Sequence, residues 1–252
     1  MTASASPVLL RGHRLTRRWG GLVAVNEVDL ELRRGEVHAV IGTNGAGKST
    51  LINLLSGQFP PSSGRVELLE QDVSLWSQPR RARAGLGRSY QRNTIYGEFS
   101  VIENCRLAAQ AARQRPWRWW QSVQAQADLV ETARGVARRT GLSESLDRPA
   151  GLLSHGQKRQ LEIAMCLATQ PQVLLLDEPL AGMGAEETER MLALLRDLRS
   201  DHAILLVEHD MDAVFRIADR ITVMVNGSVI ASGSPDEIRG NELVQSAYLG
   251  GH

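Results

Sequence analysis

The chain has 252 residues, of which 42% are hydrophobic and 23% are charged, as in an ordinary soluble globular protein with a substantial core. Its formal net charge of +1 creates no overall field that would favour nucleic acid or an acidic surface as a partner. The two cysteines, Cys105 and Cys166, fit neither a metal-ligand spacing nor a disulfide framework, so they indicate a reducing compartment.

The N-terminal stretch does not predict a signal peptide, because its basic residues follow a very short apolar run. No apolar run approaches the roughly 20 residues that span a bilayer. A role at a membrane would therefore require a partner.

The first informative element is the apolar run Val37–Ile41, which predicts a buried strand. It is followed by GTNGAGKST (Gly42–Thr50) and by a leucine-rich helical pattern that ends at Gly57. A strand, a glycine-rich loop, Gly-Lys-Ser and a helix in this order are typical of a phosphate-binding loop, or P-loop. The chain is therefore predicted to bind a nucleoside triphosphate.

The residue types in this loop follow from the chemistry of phosphate. Gly45 and Gly47 let backbone amides turn toward the β-phosphate without a Cβ in the way. Lys48 is expected to face the β- and γ-phosphates, and the Ser49 hydroxyl is expected to ligate Mg²⁺. The other nucleotide-binding candidates of the loop are Gly42, Asn44, Ala46 and Thr50.

Residues 1 to about 90 are otherwise β-rich in pattern, and residues 92–152 are mostly helical. In the first part, Arg80, Arg81 and Arg83 are interpreted as a solvated face rather than a polyanion site. In the second, PWRWWQ (Pro116–Gln121) either contacts a membrane partner or packs locally, and the sequence leaves both interpretations open.

A capped helix is predicted to begin after LLSHGQ. Ser154 is a good N-cap, and Gln157 three residues later completes a capping box. The free backbone amides at such a helix start, including that of Gly156, can bind an anion. The local sequence does not say which anion.

Two carboxylates end the next apolar strand, VLLLDEP (Val173–Pro179). Asp177 is placed to hold Mg²⁺, and Glu178 to orient and deprotonate an attacking water. No Asn-Lys-x-Asp motif follows the P-loop, which counts against a GTPase.

Strands and helices then alternate, which predicts a parallel sheet with crossover helices. The predicted elements are the helix Ala185–Arg199, the strand Ala203–Val207, the helix Met211–Asp219, a hairpin turning at Asn226-Gly227, and a short terminal helix capped by Ser234.

With these motifs in order, LSHGQ before LLLDEP resembles the signature loop of the ATP-binding-cassette (ABC) ATPases, and the resemblance covers about residues 10–249. It implies an α/β P-loop fold of ABC type, with a mixed sheet core, a β-rich N-terminal part and an inserted helical subdomain. One ABC domain over 1–252 is expected, with a nucleotide-binding core at 1–91 and 153–252 and the helical subdomain at 92–152.

The resemblance also assigns roles to residues that would mean little alone. It implies that Trp19 stacks on adenine, that Gln91 contacts Mg²⁺ and the attacking water, and that His209 contacts the γ-phosphate. In the family, the signature loop of one cassette caps the ATP held by the P-loop of a second. Ser154, Gly156 and Gln157 would then bind a neighbour's ATP.

Two positions depart from the family pattern. His155 stands where the family usually has a second glycine, and its imidazole either lies near the phosphates or points outward. Gly184 stands where many relatives have Asp, which puts one cross-dimer polar contact in doubt.

The signature, the loop DEPLAGMGAEET, the switch VEHDMD and the ending AYLGG are similar to the ATP-binding subunits of branched-chain amino acid importers, with close relatives for urea and short amides. That branch implies a second, unlike ATPase subunit, two transmembrane permeases and an extracytoplasmic substrate-binding protein, and no nucleic acid. It also implies a peripheral position on the cytoplasmic face of the inner membrane.

Three alternatives remain open at this point. One is an ABC ATPase of a lipid or polysaccharide export system. Another is a soluble ABC ATPase acting on ribosomes or DNA, although such proteins usually carry two cassettes or a long coiled-coil insertion. The third is a small-molecule kinase, for which no acceptor site is visible in the sequence.

Overall fold

The structure is a computed structural model that describes residues 6–89, 95–113 and 123–249. The strands are β1 (Val8–Trp19), β2 (Leu22–Arg33), β3 (Val37–Gly42), β4 (Ser63–Leu68), β5 (Gln71–Asp72), β6 (Leu86–Arg88), β7 (Val173–Asp177), β8 (Ala203–Val207), β9 (Arg220–Val225) and β10 (Ser228–Gly233). The α-helices are α1 (Lys48–Ser56), α2 (Gln78–Arg83), α3 (Val101–Arg113), α4 (Val123–Arg139), α5 (His155–Ala168), α6 (Ala185–Arg199), α7 (Met211–Ile217), α8 (Pro235–Arg239) and α9 (Glu242–Leu249).

A six-stranded sheet in the order β10-β9-β3-β8-β7-β6 forms the centre of the fold. Its strands from β9 to β6 are parallel, and only β10 runs antiparallel. Every residue of β3, β7 and β8 is buried, because helices or the second sheet cover both faces. The loops after these three strands therefore meet at one edge of the sheet.

A second, antiparallel sheet has the order β2-β1-β4-β5. Its apolar face packs with α1 and with one side of the central sheet into a single core of mostly Leu and Val. The opposite side of the central sheet packs against α6 and α7. The P-loop helix α1 is thereby held between the two sheets.

Between β6 and β7 the chain forms a helical cluster. The helices α3 and α4 pack on each other and on α5, around small buried side chains such as Cys105, Ala133 and Ala164. The mixed sheet, the β-rich N-terminal part and the helical insertion confirm the fold expected from the sequence. Among the described residues, none of the helices combines the length and apolarity needed to cross a membrane.

The helix expected to reach Asp219 ends earlier, at Ile217. Ala218 is extended, which turns the Asp219 carboxylate toward the start of β3. Its Oδ2 accepts a hydrogen bond from the Val37 amide at 2.9 Å, and its Oδ1 accepts one from Arg199 at 2.8 Å. These two partners, which are distant in the sequence, stabilise the end of α7 at Ile217. The local helical pattern of the sequence gives no sign of them.

The interpretation of Arg80, Arg81 and Arg83 as one solvated face is wrong for Arg81. Its side chain is fully buried, and its guanidinium donates hydrogen bonds to the carbonyls of Leu54, Leu55, Ser74 and Trp76. It therefore binds two carbonyls in the last turn of α1, where few helical donors remain, and the Leu54 carbonyl also accepts the Gly57 amide at 3.2 Å. Arg80 and Arg83 are exposed, as expected. The tryptophan-rich stretch Pro116–Gln121 lies outside the described residues.

Candidate functional site

The P-loop follows β3 and passes directly into α1. Gly47 precedes the helix in a left-handed conformation, with φ of 100°. A Cβ at this position would come within 2.4 Å of the Ala24 carbonyl oxygen, so only glycine fits. The loop is consequently held close to β2 and leaves the first amides of α1 without helical partners.

Lys48 begins α1 with its side chain turned back into the loop. Its Nζ donates hydrogen bonds to the carbonyls of Gly42 at 2.7 Å and Thr43 at 3.1 Å. Burial lowers the pKa of Lys48, while the nearby Glu178 and Asp177 favour the charged form. The ammonium therefore lies close to both carboxylates that follow the P-loop in the sequence.

A cavity of about 430 Å³ opens over the loop. Its lining includes most of the predicted loop residues together with Glu178: Asn44, Gly45, Ala46, Gly47, Lys48, Ser49 and Thr50. It also includes residues that the sequence did not indicate: Leu22, Val23, Ala24, Asn226 and Gly227. The hairpin turn is bonded to the loop, since the Gly227 amide donates to the Ala46 carbonyl at 3.0 Å.

Trp19, the expected adenine partner, does not line this cavity. The residue is 48% exposed, and its ring meets that of Phe59 edge to face with a centroid distance of 5.2 Å. The Arg17 guanidinium lies 3.8 Å from the centroid of the Trp19 ring and covers one face of it. A base could stack on Trp19 only at the other face or after Arg17 moves.

Asp177 ends β7 with a carboxylate that is almost completely buried, and it does not line the P-loop cavity. Burial raises its pKa, and the Arg88 guanidinium, 3.6 Å from Oδ2, opposes that effect. The other oxygen, Oδ1, is buried and has no hydrogen-bond partner among the residues that the structure describes. A buried acceptor without a partner is costly unless a ligand satisfies it, so this oxygen fits a metal ion or its water.

A bound metal ion would need phosphate or water oxygens to complete its coordination. Among the described residues, no group of three His, Cys, Asp or Glu side chains is arranged to hold a metal ion. Mg²⁺ commonly takes one or two protein ligands plus water and substrate phosphates. The exposed hydroxyl of Ser49 and the free oxygen of Asp177 fit that pattern.

Glu178 follows Asp177 in a strained backbone conformation. Its φ is +50°, in the left-handed region that non-glycine residues rarely occupy and that costs about 1 kcal/mol or more. Its amide donates to the Val207 carbonyl at 2.9 Å, which ties it to the end of β8. Strain of this kind is typical of functional sites, and here it turns the Glu178 side chain into the P-loop cavity.

His209 follows β8 and is exposed. Its Nδ1 lies 3.8 Å from the carboxylate of Glu208, and it does not line the P-loop cavity. Glu208, which the sequence interpretation passed over, is completely buried and accepts hydrogen bonds from the amides of Leu180 and His209. Gln91 lies outside the described residues.

Ser154 caps α5 as the sequence predicted. Its hydroxyl accepts the Gln157 amide at 3.2 Å, and the Gln157 side chain accepts the Ser154 amide at 3.0 Å. Ser154, Gly156 and Gln157 line a second cavity of about 330 Å³, which shares no lining residue with the P-loop cavity. Within one chain, these three residues and the P-loop therefore face different spaces.

The two unusual positions lie beside this second cavity. The exposed His155 ring packs against Gly182 of the loop before α6. Gly184 is the N-cap of α6 and supplies no capping side chain. Instead Glu187 Oε2 reaches back to the Gly184 amide at 3.5 Å. The loops that begin α5 and α6 are thus in contact.

Comparison with known protein families matches residues 25–181 to the family described as ABC transporter. Residues 228–252 match the family described as branched-chain amino acid ATP-binding cassette transporter. The first match includes the P-loop, the α5 N-terminus, and Asp177 and Glu178 at the end of β7. The second begins at β10.

Individual relatives are similar over nearly their whole length. The high-affinity branched-chain amino acid transport ATP-binding protein LivG of Salmonella typhimurium is 41% identical, over 97% of this chain and 99% of that protein. The corresponding protein BraF of Pseudomonas aeruginosa is 38% identical, over 94% of this chain and 95% of its own length. A crystal structure of a nucleotide-free ATP-binding cassette from an ABC transporter superposes with a TM-score of 0.85 at 28% identity, covering 96% of this chain and 99% of that one.

Proposed function

Because the chain belongs to the ABC transporter family and is one of its ATPases, we propose that its ATP hydrolysis drives the import of branched-chain amino acids, or of related amides or urea, through partner membrane subunits. The observation that carries this proposal is the similarity to LivG and BraF from end to end. The match of residues 228–252 to the branched-chain amino acid family supports the same branch.

In the proposed hydrolysis, one group of site residues stabilises the charge of the phosphates and another positions and deprotonates the attacking water. Lys48 faces the β- and γ-phosphates and moves its hydrogen bonds from the loop carbonyls to phosphate oxygens. Glu178 orients the attacking water and accepts its proton. Gln91 and His209 are proposed to contact the water and the γ-phosphate.

Mg²⁺ is proposed to be held by Ser49 and Asp177, with Gln91 as a further contact. When bound, it neutralises charge on the β- and γ-phosphates. The buried Asp177 Oδ1, which has no partner in the described part of the chain, supports this assignment. Arg88, near the other oxygen, leaves Oδ1 as the one available to the metal or its water.

Hydrolysis is proposed to need two cassettes. The α5 N-terminus faces a cavity separate from the P-loop, so Ser154, Gly156 and Gln157 act on the ATP of a neighbour. We propose that the neighbour is an unlike ATPase subunit. Two permeases would bind the pair at the cytoplasmic face of the membrane, and an extracytoplasmic substrate-binding protein would deliver the amino acid.

Export of lipid or polysaccharide is the second candidate, because similar single cassettes serve such systems. No feature of the described residues favours it over import. Action on nucleic acid is not proposed, since the chain is close to neutral in net charge.

The test is substrate uptake in the host organism. Deletion of the gene for this chain should lower the uptake of labelled leucine, isoleucine and valine. A plasmid copy of the wild type should restore uptake, and a copy with Glu178→Gln should not. Unchanged uptake of amino acids, amides and urea, together with loss of a surface lipid or polysaccharide, would support the export function instead.

A further inference from the structure

A hydrogen bond joins the start of α5 to the first turn of α6. The Ser154 hydroxyl donates to Oε1 of Glu187 at 3.2 Å. The same hydroxyl accepts the amide of Gln157, which caps α5. A serine hydroxyl has one proton to donate. In the isolated chain that proton is therefore committed to Glu187.

The Glu187 carboxyl group also lies directly against Gly156. A Cβ on Gly156 would come within 2.6 Å of Cδ and Oε1 of Glu187, so the close approach depends on glycine. Both residues line the cavity at the α5 N-terminus. A negative side chain thus occupies the space where the helix dipole and the free amides favour an anion.

We propose that Glu187 competes with the γ-phosphate of the neighbouring cassette's ATP for the Ser154 hydroxyl, and must release it before the two cassettes close. This inference rests on the proposed function, because it requires the signature loop to face a neighbour's phosphate. Phosphate oxygens accept hydrogen bonds but do not donate them when ionised, so Ser154 can bind the phosphate only with the proton it now gives to Glu187. A phosphate bound to the same hydroxyl would also be repelled by the Glu187 carboxylate.

Glu187 thereby restrains closure. The carboxylate satisfies Ser154 while no phosphate is present, and its displacement adds to the free-energy cost of forming the closed pair. Removing its charge should lower that cost and leave the P-loop cavity unchanged, because the two cavities share no lining residue.

Glu186 provides a matched control in the same turn of α6. It is exposed, does not line the cavity, and its carboxylate binds Arg190 at 2.7 Å. Glu186→Gln and Glu187→Gln each remove one negative charge from the N-terminal turn of α6. Their loss of interaction with the dipole of α6 is therefore similar. Only Glu187→Gln changes the group that holds Ser154.

The experiment measures ATP-driven association of the full chain. The chain carrying Glu178→Gln is mixed with the ATPase subunit that co-purifies with it from host membranes, and Mg-ATP is titrated while association is followed by analytical ultracentrifugation. Adding Glu187→Gln should lower the ATP concentration for half-maximal association about fivefold or more, the scale expected for removal of one close like-charge contact. Adding Glu186→Gln should change it less, since that variant keeps the contact between Glu187 and Ser154, although it releases Arg190, which lines the same cavity.

Two further measurements make the result decisive. ATP binding to the isolated chain, measured by calorimetry, should be the same in all variants. Glu187→Asp, whose shorter side chain withdraws from Ser154, should change association in the same direction and replaces Glu187→Gln if that variant does not fold.

Equal or weaker association of Glu187→Gln relative to Glu186→Gln would overturn the competition, while leaving the two-cassette function intact. Failure of every variant to associate, although each binds ATP, would instead overturn the proposed pairing and this inference with it.

Discussion

The carboxylate of Glu208 accepts a hydrogen bond from the backbone amide of Leu180 at 2.8 Å, inside a site where Glu208 is completely buried. Its second oxygen accepts the amide of His209 at 3.2 Å. Leu180 lies two residues after Glu178. Glu208 therefore connects the loop that carries Glu178, the proposed base, with the loop that carries His209, the proposed contact of the γ-phosphate.

Glu208→Gln should reduce kcat roughly tenfold or more without changing the affinity for ATP, because small displacements of reacting groups are costly. The two amides bind different oxygens of Glu208, and a glutamine places an NH2 donor where one of those oxygens was, so one amide loses its acceptor. Steady-state ATPase assays that separate kcat from KM check this prediction. Glu189→Gln is the control, since Glu189 is exposed and pairs with Arg216 on the surface. Equal kcat values for the two variants would show that Glu208 does not position the site.

Glu178→Gln should slow hydrolysis about a hundredfold or more while ATP still binds, since the proposed general base is lost and the P-loop is intact. Lys48→Ala should instead weaken nucleotide binding, because it removes the cation proposed to contact the phosphates. Phosphate release and nucleotide binding are measured for both variants. Comparable hydrolysis by Glu178→Gln and the wild type would rule out Glu178 as the base.

The P-loop and the strand that ends in Asp177 were predictable because each is a short local pattern. The order Gly-Ala-Gly-Lys-Ser after a buried strand fixes the loop, and the alternation of strands and helices fixes the parallel sheet. The N-cap at Ser154 was predictable for the same reason, since both partners of its capping box lie within four residues.

Contacts between distant segments were not predictable from single residues. The Asn226-Gly227 turn was expected, but not its hydrogen bond to the P-loop. Arg81 and its exposed neighbour Arg80 look alike in the sequence, and only the packing of α2 against the end of α1 separates them. Glu187 likewise looks in the sequence like an ordinary acidic residue in the first turn of a helix. Its contact with Ser154 is visible only in the fold, where α5 lies beside α6.

Arg81→Met should lower the free energy of unfolding by about 3 kcal/mol or more, because it leaves several buried carbonyls without a donor. Burial lowers the pKa of Arg81 to about 10, so the guanidinium is still charged at neutral pH. Urea denaturation measures the change. Arg80→Met is the control and should cost less than about 1 kcal/mol, since Arg80 is exposed and only covers the Trp76 ring. Similar losses in the two variants would contradict the role assigned to Arg81.

His38, in the middle of the central sheet, should make stability depend on pH. Its Nδ1 lies 2.9 Å from the Glu31 carbonyl, to which it donates, and its Nε2 lies 2.8 Å from the Thr222 hydroxyl. Burial, with a smaller contribution from Arg220, lowers the pKa of His38 to about 4 from its ordinary value of 6.5. Between these two values the unfolded chain binds a proton that the folded chain does not. Stability should therefore be lost as the pH falls from about 6.5 to about 4.

Between pH 7 and pH 5, His38 should lower the free energy of unfolding by about 2 kcal/mol, given a pKa shift of this size. Urea denaturation of the wild type and of His38→Gln at both pH values measures it, because glutamine keeps a donor and an acceptor but does not titrate. Burial also lowers the pKa of His202, which titrates in both proteins, so the difference between them isolates His38. An equal loss of stability in the wild type and in His38→Gln would mean that His38 is not the group responsible.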